Sequence, residues 1–465
     1  MKNKWTSSLL QSITQGQLKG PQSWTATTFT HDSRQVTPGQ LYVAIKGEKV
    51  DGHDYINSAL QNGAVAALVS HIPASLSSDA PLVLVPNVEE ALLQVGRYVR
   101  DHLKATVIGV TGSSGKTTTK DMLKLCLSAQ GKTHANFRSF NSRWGVPLTL
   151  AECEGDEQFV VLEMGMSGRG ELSTLTHMAR PHIAMITTIN PAHLEELGSL
   201  ENIARAKAEI FEGLPSTGTA LVPGDVEHTP LLLAKAHESA AAHVVVFGES
   251  TAAQIRLASY QPQSTQAQVK ISLHGTEYSY TLAVLGKHYA MNSLAVLGAI
   301  HAAKASVPHA IDALQTFQGS DRRGQIIPLS QGILLFDESY NANPGSMKAA
   351  LEAFGSHPVS GHKILVLGDM RALGRESRDY HLNLKETVLA THPHMVFTYG
   401  AEMEALHQAL APHLTTHHFQ DLESLSQAVM NVLNPHDAVF IKASNSVNLN
   451  QVAQAILNQF KPMAG

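Results

Sequence analysis

Cysteine is scarce in this 465-residue chain: there are two, Cys126 and Cys153, and neither has a near partner. Two separated thiols cannot build a disulfide framework or a cysteine zinc site, and they suit a reducing compartment. Charge of one sign is scarce too. The net charge is -5, with no long basic or acidic run, so nucleic acid and anionic membrane surfaces find nothing to grip. No apolar run is long enough to span a bilayer. The opening "MKNKWTSSLLQSITQG" has no apolar h-region followed by a small-residue cleavage site. Internal repeats and low-complexity segments are also missing. These absences predict a soluble cytoplasmic protein with no nucleic-acid partner and no membrane insertion. The 25 histidines are scattered and read mostly as surface residues.

What is present is enough apolar material, 43% of residues, for substantial cores, and length for two to four domains. Three blocks are expected. Residues 1–84 hold short strands, "LYVAI" and "AVAALV". Residues 85–320 begin with a linking helix, "VEEALLQVGRYVRDHL", and then alternate strand and helix through "TVIGVT", "FVVLEM" and "IAMITTI". Near-continuous apolar strands between helices predict a parallel sheet covered on both faces. Residues 253–285 alternate instead, in "AQVKISLHGTEYSYTLAV", as a small antiparallel β insertion would. Residues 321–465 form a third, Rossmann-like α/β block, with "GILLFDE", "KILVLGDM", "MVFTYG" and "AVFIKA" as strands. The fold class is therefore α/β in three domains.

The stretch "VIGVTGSSGKTTTKDML" reads as strand, glycine-rich turn and helix. Such a turn aims backbone N–H groups and a helix N-terminus at an anion. Gly112, Ser113, Ser114, Gly115 and Thr118 would cradle phosphates. Lys116 would reach the outer phosphates and the Thr117 hydroxyl would ligate Mg²⁺. Val110 stands where the usual phosphate-loop pattern begins with glycine. The alternative is a tight turn that happens to hold a lysine. In an open parallel sheet the remaining ligand contacts come from other carboxyl strand ends, which brings in Glu163 after "FVVL" and His193 after "IAMITTINPA". Lys207 lies in the amphipathic "ENIARAKAEIF". Taken singly, these three read as a strand-end carboxylate, a helix-cap neighbour and a solvated lysine.

Taken together, "TGSSGKTTTK", "GVPLTL", "AHLEELGSLENIARAKAEIF", "GKHYAMNSLAV", "DESYNANPGSM" and "LGDMRALG", in that order and over nearly the whole chain, resemble the Mur ligase family, the ATP-dependent amide ligases of cell-wall synthesis. That family tolerates a non-glycine at the first loop position. The resemblance implies ATP-driven addition of D-alanyl-D-alanine to a UDP-linked muramoyl tripeptide through an acyl phosphate. It implies two Mg²⁺ ions, one held by Thr117 and Glu163, the other by His193 and a carbamylated Lys207, with Lys116, His193 and Lys207 as the catalytic set. Asn292 would meet adenine. Arg323, Asp337 and Glu338 would face the nucleotide from the third domain. Tyr340, Asn341, Asp369 and Lys442 would meet the amine substrate. "HDSRQVTPGQLYVAIKGEKVDGHDYINSA" resembles the family's uridine-diphosphate-binding domain, with Ser33, Arg34, Lys46, Gly47 and His53 as the matching positions and Asn141 contributing to the acyl substrate; ordinary turn chemistry also accounts for these segments. A monomer is expected.

The chain departs from the family pattern where the acyl peptide and the amine would sit. Arg138, Ser139 and Ser142 interrupt a glycine- and asparagine-rich loop, and Ser167-Gly168 replaces an Asn-His. Ala443, Asn445 and Asn450 alter the K-G-S-R strand end and its following glutamate. Asn190 and Ala208 each replace a glycine. Drift within one enzyme explains this pattern, ahead of the alternative, a relative joining a different amine or acyl partner.

Overall fold

Three runs of short apolar strands assemble the three larger sheets, beside a two-stranded antiparallel pair of Trp5–Thr6 with Thr25–Ala26. The computed structural model describes residues 5–47, 50–263 and 265–462. In the first sheet, β1 (Gln17–Lys19), β2 (Thr28–Thr30), β3 (Gln40–Val43), β4 (Ala66–Val69) and β5 (Leu82–Leu84) lie in the order β1-β5-β4-β3-β2. All its pairs are parallel except β1 with β5. Helix α1 (Val88–His102) follows. The Asn87 side chain accepts from the Glu90 N–H, acids sit in its first turn and Arg100 and His102 in its last, an arrangement that satisfies its end groups and opposes its dipole. Its buried stripe of Val88, Ala91, Leu92, Val95 and Val99 packs into one apolar cluster with Leu41 and Leu68 of the first sheet and Val107 and Val160 of the second. Gly96 is required in this stripe, since a Cβ there would lie 2.6 Å from Met178 Sδ.

The central sheet holds β6 (Thr106–Thr111), β7 (Thr133–Ala135), β8 (Phe159–Glu163), β9 (Ile183–Ile186), β10 (Thr219–Pro223), β11 (His243–Gly248), β12 (Ile255–Pro262), β13 (Ala267–Leu273) and β14 (Thr276–Leu282). Their order is β14-β13-β12-β11-β10-β9-β6-β8-β7. The parallel core is apolar on both faces because helices cover both: α2 (Lys116–Ser128), α3 (Leu200–Ala208) and α4 (Lys287–Ala302). The alternating segment expected as an insertion is an antiparallel meander, but it is continuous with the parallel sheet. β12 pairs parallel with β11 through Phe247 and Gly248, and β13 and β14 extend the same edge.

The third sheet comprises β15 (Gln325–Pro328), β16 (Leu334–Glu338), β17 (Lys363–Gly368), β18 (Met395–Tyr399), β19 (Thr415–Phe419) and β20 (Ala438–Lys442), in the order β15-β16-β20-β17-β18-β19. Helix α5 (Pro344–Ser356) opens on a capping box between Asn343 and Ser346 with proline in its first turn, and α6 (Met403–Leu410) follows β18. Across the interface between the second and third sheets, the Leu194 N–H donates to the Ala372 carbonyl at 3.0 Å.

Candidate active site

The turn between β6 and α2 is built for close approach. A Cβ at Gly112 would sit 1.9 Å from Thr187 Oγ1, and one at Gly115 would sit 2.8 Å from Asn292 Oδ1. Gly115 has φ 80° and no side chain caps α2, so the first N–H groups of the helix are left for an anion. Lys116 Nζ lies 2.7 Å from the Gly112 carbonyl. Burial lowers its pKa, the Glu163 carboxylate opposes that shift, and the Arg323 guanidinium adds to it. A phosphate would relieve such a cation.

Glu163, at the end of β8, is 1% exposed. Its Oε2 accepts from Thr117 Oγ1 at 2.8 Å and its Oε1 from Asn141 Nδ2 at 2.6 Å. Its N–H donates to Asn136 Oδ1 at 2.6 Å. Hydrogen bonds to a charged group contribute about 1.5–3 kcal/mol each, so the carboxylate is fixed in place. A carboxylate and a hydroxyl side by side are the hard oxygen donors that Mg²⁺ takes, and the pair fits that ion.

A cavity of about 700 Å³ opens above these groups. Ser113, Ser114, Gly115, Lys116, Thr117, Thr118, Asn141, Glu163, His193 and Asn292 line it from the central domain, and Arg323, Glu338, Tyr340, Asn341 and Lys442 from the third. The two sets touch. Asn343 Nδ2 donates to Ser114 Oγ at 2.9 Å and Arg323 Nη2 to Ser139 Oγ at 3.0 Å. The Arg323 guanidinium carbon lies 3.4 Å over the Tyr340 ring, within cation–π range. Lys442 Nζ donates to the Asn341 carbonyl at 2.9 Å and to Glu338 Oε2 at 3.3 Å.

His193 begins the turn Leu194–Leu197 with φ 63°. Burial, then Lys207 and Lys116, pull its pKa down to about 4, so the ring is neutral at pH 7 and able to ligate. Lys207, on α3, is 1% exposed. Burial first, and then Lys116, drive its pKa well below the ordinary value. That shift favours the neutral amine, the form that reacts with CO₂.

Several expected residues stand elsewhere. Asp337 does not face the cavity. It is 5% exposed, its Oδ1 accepts from the Ser339 N–H at 2.9 Å, and burial raises its pKa. Neighbouring residues of a strand point to opposite faces, so Glu338 faces the cavity and Asp337 does not. Asp369 is fully buried and does not line the cavity. It accepts from the Met403 and Glu402 N–H groups at 3.0 and 3.1 Å, capping α6, and pairs with Arg371 at 3.2 Å. Gly112 does not line the cavity; its carbonyl accepts from Lys116 Nζ. In the first domain, Arg34 reaches out 84% exposed and pairs with Asp32 at 2.8 Å. The Ser33 carbonyl accepts from Asn62 Nδ2 at 2.9 Å. Lys46 and Gly47 form the exposed turn closed by the Gly47 N–H to Val50 carbonyl bond of 2.9 Å; Glu48 and Lys49 lie outside the described residues. His53, 2% exposed, has both ring nitrogens occupied, Nδ1 by Asp51 Oδ1 at 2.6 Å and Nε2 by the Ser70 N–H at 2.9 Å. Asp51, His53 and His71 cluster tightly enough to suggest a metal. The Ser70 N–H forces the His53 proton onto Nδ1, so no lone pair of that ring is free.

Sequence reasoning passed over four residues. Ser139 was noted as a departure and given no role. Asn343 carries the cap signal of Asn-Ala-Asn-Pro-Gly-Ser, but nothing local shows that it would meet the phosphate loop. Lys120, 2% exposed, donates to the Asn136 and Arg138 carbonyls at 3.0 and 2.9 Å, and no local signal marks it. Asn190 packs against Gly345, where a Cβ would come 2.5 Å from its side chain.

Known proteins share this arrangement. The Mur ligase family catalytic domain matches residues 26–99, the Mur ligase middle domain residues 110–300, and the Mur ligase glutamate ligase domain residues 322–445. UDP-N-acetylmuramoyl-tripeptide–D-alanyl-D-alanine ligase of Bacillus subtilis is 31% identical over 429 residues, 92% of each chain. The chain belongs to the Mur ligase family. Among solved structures, MurF from Acinetobacter baumannii superposes with a TM-score of 0.87 at 28% identity, covering 98% of this chain and 99% of that one. MurF ligase from Thermotoga maritima in complex with ADP gives 0.79 at 25% identity, covering 93% and 97%. No helix among the described residues is long and apolar enough to cross a membrane.

Proposed function

We propose that this chain is an ATP-dependent, ADP-forming amide ligase that joins D-alanyl-D-alanine to a UDP-N-acetylmuramoyl tripeptide in peptidoglycan precursor synthesis. The observation that carries the reading is one cavity lined at once by the phosphate loop and by Arg323, Glu338, Tyr340, Asn341 and Lys442 of the third domain. A site that must activate a carboxylate and then deliver an amine needs both walls. The relatives of like length bear the name of this reaction.

A carboxylate is a poor electrophile. A terminal carboxylate oxygen of the acyl peptide attacks the γ-phosphorus of ATP, the bond to the β,γ-bridging oxygen breaks, and ADP leaves. The amine of the dipeptide then adds to the carbonyl carbon of the acyl phosphate. Inorganic phosphate departs with the C–O electron pair and the amine loses a proton. Lys116 and the α2 N–H groups hold the phosphates, and Arg323 meets charge as it builds on the transferred group. Asn292, beside Gly115, meets the base. Thr117 and Glu163 would hold one Mg²⁺, and His193 with a carbamylated Lys207 would hold a second. The ions would neutralise phosphoryl charge and orient the acyl oxygen. Carbamylation joins the neutral Lys207 amine to CO₂ with loss of a proton, replacing a would-be cation by an anionic oxygen ligand. Closure of the third domain keeps water from the acyl phosphate.

In this reading residues 1–84 take the UDP end through Ser33, Arg34, Lys46, Gly47 and the segment around His53. Residues 85–320 take ATP, and residues 321–465 the amine. The protein works in the cytoplasm as a monomer. Phosphate release measured with ATP, UDP-N-acetylmuramoyl tripeptide and D-alanyl-D-alanine, omitting each in turn, tests the proposal. Release that requires all three supports it; release with another amine but not with the dipeptide overturns it.

A further inference from the structure

Segment 136–144 meets all three domains beside the cavity. The His31 ring of the first domain lies 4.9 Å from Phe140 and 4.7 Å from Trp144. Lys120 of α2 ties down the Asn136 and Arg138 carbonyls. Between these anchors, Ser139 Oγ stands 3.2 Å from Thr117 Oγ1 and accepts from Arg323 Nη2 of the third domain at 3.0 Å. The far face of Arg323 is stacked on Tyr340 at 3.4 Å. One hydroxyl thus bridges the phosphate loop and the guanidinium that reaches over from the third sheet.

A serine oxygen offers two lone pairs and one proton. Arg323 occupies one lone pair. Thr117 directs its own proton to Glu163 Oε2 at 2.8 Å. When a threonine oxygen ligates a cation its proton still needs an acceptor, and Glu163 would then turn its oxygens to the same cation. Ser139 Oγ is the other acceptor already within reach of Thr117. A hydroxyl with this geometry can accept hydrogen bonds from the threonine hydroxyl and the guanidinium together, and only when the third domain is closed on the loop.

We propose that Ser139 is a positioning residue of the phosphoryl-transfer step: it accepts a hydrogen bond from the Thr117 hydroxyl when Thr117 ligates Mg²⁺ and sets Arg323 against the phosphates. This rests on the nucleotide half of the ligase reading and not on the identity of the amine. No substrate atom need touch it.

The test uses the full chain with Ser139→Ala, Ser139→Thr, Arg323→Ala and the double variant. Calorimetry follows ADP binding with Mg²⁺ and with chelator, which needs no turnover. Ser139→Ala is expected to lose about tenfold of the Mg²⁺-dependent gain in ADP affinity while binding without Mg²⁺ is unchanged. In phosphate release, kcat should fall about tenfold to a hundredfold, the scale of a misplaced transition-state contact, with KM for the UDP-peptide unaltered. Ser139→Thr, which keeps the hydroxyl, should restore both, and the double variant should lose less than the product of the two single losses. Wild-type Mg²⁺ dependence and kcat in Ser139→Ala, losses that multiply in the double variant, or a threonine variant as poor as alanine each overturn the proposal. Were the parent to release no phosphate with the dipeptide while Mg²⁺-dependent ADP binding still followed Ser139, the ligase reading would fall and this inference would stand.

Discussion

Two carboxyl edges of parallel sheets, in the first domain and in the central one, carry stretches that resemble ligand sites, yet their side chains are arranged in opposite ways. At the central edge, burial depresses the pKa values of Lys116, Lys207 and His193 in or beside the cavity, only partly offset by Glu163 at Lys116 and by Glu171 at His193. Groups whose charged form burial disfavours in this way are poised for a ligand. At the first-domain edge the polar groups are already paired, Asp32 with Arg34 and Asp51 with His53, and His53 with Ser70. The difference separates a site whose cost is carried by the fold from a surface whose motif also holds its own turns together. Chemistry belongs to the first kind of edge; the second can at most bind.

The comparison breaks first at Lys116. Lys116→Ala should lower phosphate release on the order of a thousandfold, because phosphate charge then develops uncompensated in a water-poor cavity. Near-normal turnover at saturating ATP would dissolve the contrast. Lys207→Ala comes next. Activity should be lost and partly restored by added formate or acetate, which supply the anionic oxygen of the carbamate; an alanine variant at the wild-type rate removes the carbamate from the chemistry.

The first domain gives a prediction of the other sort. His53→Ala empties a buried position and leaves the half-buried Asp51 and Ser70 N–H without their partner, and should cost about 1–3 kcal/mol in urea unfolding. Arg34→Ala, at an exposed ion pair, should melt where the parent melts. Any loss of UDP-peptide affinity in Arg34→Ala then reports ligand contact alone, whereas an unchanged affinity would leave that edge purely structural.

These two edges also show what could be read from residues and what could not. The phosphate loop was legible because glycine, lysine and threonine at fixed offsets each answer a local backbone demand. Glu163 was legible as a strand end. Asp337 against Glu338 was not, because a one-residue shift reverses the face of a strand and "LLFDES" does not say where the strand ends. Asp369 was misplaced for a non-local reason: it caps α6, which begins more than thirty residues later, at the end of a different strand. The central strands "TALVP" and "HVVVFG" went unnamed, and without them the antiparallel segment read as an insertion instead of an extension of the sheet. Ser139 could be seen only as a departure, since its partners Thr117 and Arg323 come from two domains.

The smallest effect concerns His288, which lines the cavity and whose Nδ1 is buried without a hydrogen bond. Burial lowers its pKa from 6.5 to about 4, Glu338 opposing and Lys442 assisting. The unfolded chain takes up this proton below pH 6.5 and the folded chain refuses it until about pH 4. Stability is therefore lost as pH falls through that window. His288→Gln, which cannot titrate there, should lose less stability between those limits than the parent; equal losses would place the ring in water.

The central claim is that ATP activates a carboxylate on one wall of the cavity for an amine delivered from the other. Rapid quench with γ-labelled ATP, UDP-N-acetylmuramoyl tripeptide and no amine measures it most directly. The account predicts a labelled acyl phosphate that borohydride traps as the alcohol and that D-alanyl-D-alanine discharges as inorganic phosphate with amide formed in equal amount. Label released at the same rate with and without the UDP-peptide, and nothing trapped, would contradict it.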